Sequence, residues 1–193
     1  MVENVEDQAR LQPYIQPGET VLWTGHPNPN RLLSGKDLFL IPFSLLWGGF
    51  AIFWEGSVLL LGSGPNKAPI FFVLWGIPFV LVGQYIIWGR FFVKRWQRQR
   101  TTYAVTNQRV LILRGRSLQS IFLSQLPPMV QSSRVDGSGS LEFGNSGSPF
   151  GYGVWANTGM DAFSMGRSVF AFYDIPDVTR VYALINQARS RPS

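Results

Sequence analysis

The side chains that could do chemistry in this chain are few and scattered. Among 193 residues there is no Cys and a single His, His26. Thiolate nucleophiles, disulfides, iron–sulfur clusters and zinc sites built on thiolate or several imidazoles are therefore excluded. Acids number 11, and between Thr101 and Asp174 they are only Asp136, Glu142 and Asp161, for which turn or surface roles suffice. No G-x-S-x-G elbow, H-E-x-x-H pair or P-loop is present. A nucleophile with its base, or paired carboxylates in one site, has no residue set to carry it. The expectation is a non-enzymatic protein with no cofactor and no metal.

The remaining chemistry is that of positive charge. The 17 Lys and Arg residues leave a net charge of +6, and Arg90 to Arg100 holds five of them with no acid. Lys94, Arg95, Arg98 and Arg100 read as contacts for anionic lipid headgroups, each worth about 1 kcal/mol near such a surface. Because this one stretch nearly equals the net charge, nucleic acid is not expected as a partner. Arg114 and Arg116 read as solvated turn residues, and His26, followed by the turn-forming Pro27 and Pro29, as a surface loop residue.

What positions these charges is a membrane. Leu38–Leu61 and Ala68–Gly89 are apolar stretches, each longer than the roughly 20 residues a helix needs to cross about 30 Å of hydrocarbon. A polar segment of some three dozen residues precedes them, which is not the plan of a secretory signal. The short connector 62–67, rich in turn residues, makes the two helices an antiparallel hairpin. Basic flanks place both termini on the cytoplasmic side of an inner membrane. Gly48, Gly49, Gly76 and Gly83 would let the helices approach closely. Glu55 is the one ionisable residue within a span, either an intramembrane functional group or, if the first helix leaves the hydrocarbon near Trp54, an outer-interface residue.

After the basic stretch the hydrophobic period becomes two. Thr102–Thr106 and Arg109–Leu113 flank Asn107-Gln108, a hairpin turn in which Asn can take a positive φ. Further strands are expected at Gln119–Leu123, Val130–Arg134, Ser140–Phe143 and Val169–Tyr173, which together argue for a small barrel or sandwich. Asp174 as cap, Pro176 in the first turn and Val178, Val181, Tyr182 and Ile185 on one face predict a closing helix that ends near Ala188. Ahead of the membrane, the run around Trp23 either adds a strand to this domain or lies on the headgroups.

Taken together, these residues resemble the bacterial membrane proteins that carry a pleckstrin-homology-like domain. The resemblance rests on Gly18 to Pro27 (Gly-Glu-x-Val-Leu-Trp-x-Gly-x-Pro), on Thr101 to Arg109 after the two helices, on Asp136 to Gly144, and on Ile175 to Tyr182. It implies an α+β membrane protein in four parts. These are an N-terminal cytoplasmic segment 1–36, a transmembrane hairpin 37–89, a basic juxtamembrane segment 90–100 and a PH-like β barrel 101–193 capped by a C-terminal helix. It also implies binding and assembly. The turn at Asn107-Gln108 is too short for the basic loop of the eukaryotic lipid-binding members, so phosphoinositide recognition does not carry over. The stretch 144–166 is unusually rich in Gly, Ser and aromatics. Phe150, Tyr152, Trp155 and Phe163 there are either anchors for a protein partner or part of a mobile insertion. The expected function is a membrane-anchored adaptor that binds a protein and touches anionic lipid. The alternative is a small structural subunit of a larger membrane complex, and a membrane enzyme with an unrecognised site ranks last.

Overall fold

The computed structural model describes residues 5–61, 70–144, 156–160 and 169–190. Helix α1 (Val5–Leu11) and strand β1 (Val21–Gly25) precede helix α2 (Asp37–Leu61). Helix α3 (Ile70–Gln84) returns and passes through a π-turn (Tyr85–Gly89) directly into α4 (Arg90–Gln99). Strands β2 (Thr101–Thr106), β3 (Arg109–Arg114), β4 (Ser117–Phe122), β5 (Met129–Ser133), β6 (Gly139–Phe143) and β7 (Ala171–Ile175) then lead to helix α5 (Val178–Ser190).

At 25 residues α2 is about 37 Å long. Its first turn is closed by Asp37, whose carboxylate accepts from the backbone N–H and the hydroxyl of Ser34 in the manner of a capping box. Both α2 and the helix that begins at Ile70 are long and apolar enough to cross a membrane, and only 28% and 17% of their most apolar windows lie inside the protein. Leu46, Phe53 and Leu60 on α2 and Ile70, Phe71 and Leu81 on α3 are all exposed. A hairpin serving as the core of a soluble protein would have these residues covered, and here they are not.

The strands form two antiparallel sheets, ordered β1-β2-β3-β4 and β5-β6-β7. The run around Trp23 therefore adds a strand. It pairs Trp23 with Val105 and Gly25 with Tyr103, across a bulge after Val21. The helical hairpin is thus inserted between two neighbouring strands of one sheet. The main core joins Tyr103, Val105, Val110 and Ile112 of the first sheet to Leu141, Phe143 and Phe172 of the second, and α5 closes it with Val178, Val181 and Ile185. Phe172 sits at the centre, stacked on Tyr103 at 4.5 Å and edge-on to Phe143 at 5.3 Å.

Both faces of β2 and most of β3 are buried. The second face is covered by the N-terminal segment, where Leu11, Tyr14 and Ile15 pack on Ala104, Leu111 and Leu113. That explains why Val110-Leu-Ile-Leu113 is continuously apolar and not alternating.

Three expectations are corrected. Asn107 keeps a negative φ; the turn is held instead by Thr106 Oγ1, which accepts from the Arg109 and Gln108 amides, and by Asn107 Oδ1, which accepts from the Thr20 amide. Strand β7 lies two residues later than expected, because Phe172 rather than Phe170 registers against Leu141. Asp174 is no helix cap. It lies within β7 with φ 49°, while the first turn of α5 is closed by the Asp177 carbonyl, which accepts from Arg180 and Val181.

Candidate functional site

The densest polar structure in the molecule is the joint where α4 leaves the long helices and meets the sheets. Arg90, Lys94 and Arg98 recur at i, i+4 and i+8 and so share one face of α4. That face points inward. Arg90 is 0%, Lys94 2% and Arg98 5% exposed. The headgroup role expected of Lys94 and Arg98 is therefore not available to them, since their charged ends already serve protein acceptors. Lys94 Nζ donates to the Leu32 carbonyl at 2.6 Å. Arg98 Nη1 donates to the carbonyls of Asn28, at 2.7 Å, and Arg31, while Nη2 meets Asn157 Oδ1 at 2.8 Å and pairs with Asp174. Arg90 pairs with Asp37 at the start of α2 and lies 4.3 Å above the Phe91 ring.

The joint is completed from the sheet side. Lys36 Nζ donates to the Ala156 carbonyl at 3.2 Å and the Tyr85 hydroxyl to the Gly159 carbonyl at 2.6 Å. Gly159, at φ +82°, passes so close to the Arg90 carbonyl that no Cβ would fit. Asp174 also pairs with Arg134 at 2.7 Å. Arg31 pairs with Asp136, whose carboxylate closes its own turn by accepting from the amide and hydroxyl of Ser138. The turn role expected of Asp136 thus has a partner on the pre-membrane segment as well.

The opposite face of α4 is exposed. Trp88, Phe92 and Trp96, also four residues apart, are 53%, 67% and 54% exposed, with Trp88 edge-on to Phe92 at 6.0 Å. Arg100 lies 4.2 Å over the Trp96 ring, and Arg95 and Arg100 are exposed. So α4 hides three of its cations and displays aromatics with Arg95, unlike a solvated basic helix. The four-residue spacing of Arg90, Lys94 and Arg98 was the signal for this, but it does not say which face of the helix is covered.

A second buried pair fastens the N-terminal segment. Arg109 donates to both oxygens of Glu19 at 2.9 Å and to the Tyr14 carbonyl at 2.7 Å. Burial pushes the Glu19 carboxyl up, but Arg109, the Gln16 amide and Thr106 together outweigh it and hold it below its ordinary value. His26 is not a loose loop residue. Its Nδ1 lies 2.9 Å from the Thr101 carbonyl and its Nε2 2.7 Å from both oxygens of Asp7, which ties α1 to β2.

Among the helix glycines, Gly48 and Gly83 do meet. A Cβ on Gly83 would sit 3.0 Å from the Gly48 Cα, and one on Gly48 would sit 2.5 Å from Ile87 Cδ1. Gly76 faces the Glu55 carboxylate, whereas Gly49 faces open space. Helix α2 runs on past Trp54 to Leu61, so Glu55 lies about 9 Å inside its end. Its Oε2 is buried against Gly76 with no hydrogen-bond partner.

Phe150, Tyr152, Trp155 and Phe163 lie outside the described residues. Among the described residues no group of three or more His, Asp or Glu side chains is placed to hold a metal. Compared with known proteins, the chain matches no family model, no curated protein and no solved structure.

Proposed function

We propose that this protein is a membrane-anchored, non-enzymatic adaptor whose pleckstrin-homology-like domain is held rigidly at the cytoplasmic leaflet of an inner membrane to bind a protein partner. The observation that carries this reading is the joint. The long helix enters the sheet domain with no linker, and Arg90, Lys94 and Arg98 are spent on fixing it to residues 28–37 and to Asp174. A domain that only needed to be near the membrane would require no such fixing, since a flexible tether supplies high local concentration by itself. Rigid presentation serves a binder whose orientation matters. The two antiparallel sheets closed by α5 support the PH-like assignment.

Headgroup contact then falls to the outer face of α4. Trp88, Phe92 and Trp96 suit the interfacial belt and Arg95 and Arg100 suit anionic headgroups. Both ends of the hairpin join the same sheet domain, and this agrees with termini on one side of the membrane.

The test is purification of the full-length tagged protein in nanodiscs, followed by mass spectrometry of stoichiometric companions. A reproducible protein partner that is lost on joint replacement of Phe150, Tyr152 and Trp155 by Ala supports the adaptor. A partner retained by residues 1–100 alone supports the alternative, a subunit that packs through its helices. Absence of any stoichiometric protein counts against both.

A further inference from the structure

Beneath the joint, the inner face of α4 and the first sheet enclose a cavity of about 30 Å³, open on one side. That is more than one water requires. Lys94, Gln97, Arg98, Thr101, Arg114 and Asn157 are among the residues that line it. Three of these are cations. The acid beside them is Asp174, and it is already shared between Arg98 and Arg134. The wall therefore carries an excess of positive charge in a partly enclosed space, where a counter-charge is held more strongly than in water.

Two donors on this wall are unspent. Arg98 Nε is buried and has no acceptor. The Arg114 guanidinium, half-buried at the end of β3, makes no hydrogen bond or ion pair among the described residues, although it lines the same cavity. A buried guanidinium N–H left without an acceptor is costly and calls for an explanation. The buried Arg98 Nε, the half-buried Arg114 guanidinium and Lys94 line one cavity, and together they make the donor set of an anion site.

We propose that this cavity binds a phosphate group. Cations reaching it from α4 and from β3 approach from different directions, which fits a tetrahedral, doubly charged group better than a planar monoanion. Arg98 Nε and the Arg114 guanidinium supply charge-assisted donors, and the Gln97 side-chain amide supplies a neutral one; the Thr101 hydroxyl is already donated to the Gln97 carbonyl. The phosphate belongs either to a small soluble compound or to a lipid headgroup. Arg98 lies nine residues beyond Gly89, about 13 Å along the helix, so the soluble source is the nearer fit. The site requires only the fold and is independent of the adaptor reading.

The test uses the full-length protein in phosphatidylcholine nanodiscs, titrated calorimetrically with inorganic phosphate. Saturable binding is expected, weakened about tenfold or more by Arg114→Gln and unchanged by Arg116→Gln, whose side chain is exposed in the adjacent turn. Gln97→Leu, which removes a neutral donor from the wall without altering charge, gives a second, independent loss. In a parallel arm, nanodiscs that also contain phosphatidic acid are analysed by native mass spectrometry. Retained phosphatidic acid that is released by Arg114→Gln, with no binding of inorganic phosphate, assigns the site to a headgroup. Binding of inorganic phosphate assigns it to a soluble ligand. No binding in either arm, or equal loss in Arg116→Gln, overturns the proposal.

Discussion

At the scale of single residues, the stability of the sheet domain depends on charges that are buried and paired. Glu19 and Arg109 are the plainest case, because each is nearly inaccessible and each uses several of its hydrogen-bonding atoms on the other. Glu19→Gln leaves Arg109 buried without its counter-charge, and a loss of about 3–5 kcal/mol is expected in thermal or denaturant unfolding. The sign of the pH dependence follows from the direction of the Glu19 shift. Its carboxyl ionises more easily folded than unfolded, so its contribution is fully present above the ordinary Glu value of 4.5 and fades as pH falls through the lower folded value. Wild type should therefore lose melting temperature on acidification more steeply than Glu19→Gln does, and a melting series between neutral pH and pH 3 measures the difference. Arg98→Met tests the joint in the same way. It strands Asp174 beside Arg134 alone and removes three further contacts, so a similar loss of stability is expected.

At the scale of elements, the helix pair is set by two glycines and not four. Gly48 and Gly83 touch across the hairpin, so Val at either position forces the helices apart, at a cost of about 1–3 kcal/mol for an overpacked contact. Gly49→Val meets nothing and should unfold like wild type in the same detergent, which makes it the internal control. Gly76→Ala should cost less than either, since its Cβ meets only the Glu55 carboxylate, the end of a flexible side chain that can swing aside. Helix α4 shows how far an element's faces depend on their surroundings. By composition it is a basic helix, yet Arg90, Lys94 and Arg98 are enclosed and Trp88, Phe92 and Trp96 are displayed. Loss of the exposed charge in Arg95→Gln with Arg100→Gln should leave folding unchanged, because surface charges contribute little to stability. The same change should weaken retention of anionic lipid in mixed nanodiscs, which native mass spectrometry reads directly.

At the scale of the whole molecule, the helical hairpin interrupts a sheet, so membrane insertion and folding of the sheet domain are coupled by topology. Strand β1 is made before the helices and β2 after them, and they pair through residues about eighty positions apart. Such a non-local contact forms late, since closing a long loop has to precede the pairing it permits. The absence of Cys makes the topology simple to test. Single cysteines at Ser120, exposed on β4, and at Ser63, in the connector, should react with a membrane-impermeant thiol reagent from opposite sides of sealed vesicles. Much of this architecture was legible in the chain. The two apolar runs, the β2–β3 hairpin, the order of the later strands and the closing helix follow from local periodicity, and local periodicity is carried by neighbouring residues. Whether the Trp23 run joins the sheet, which glycines meet, that Asp174 is an ion-pair hub and not a cap, and that Arg90, Lys94 and Arg98 turn inward were decided only by tertiary structure. Each depends on a partner far away in sequence, Val105 for Trp23, Gly48 for Gly83, Asp174 for Arg98. Charge and spacing state what a helical face can do, but what it does is settled by which of its faces the rest of the chain covers.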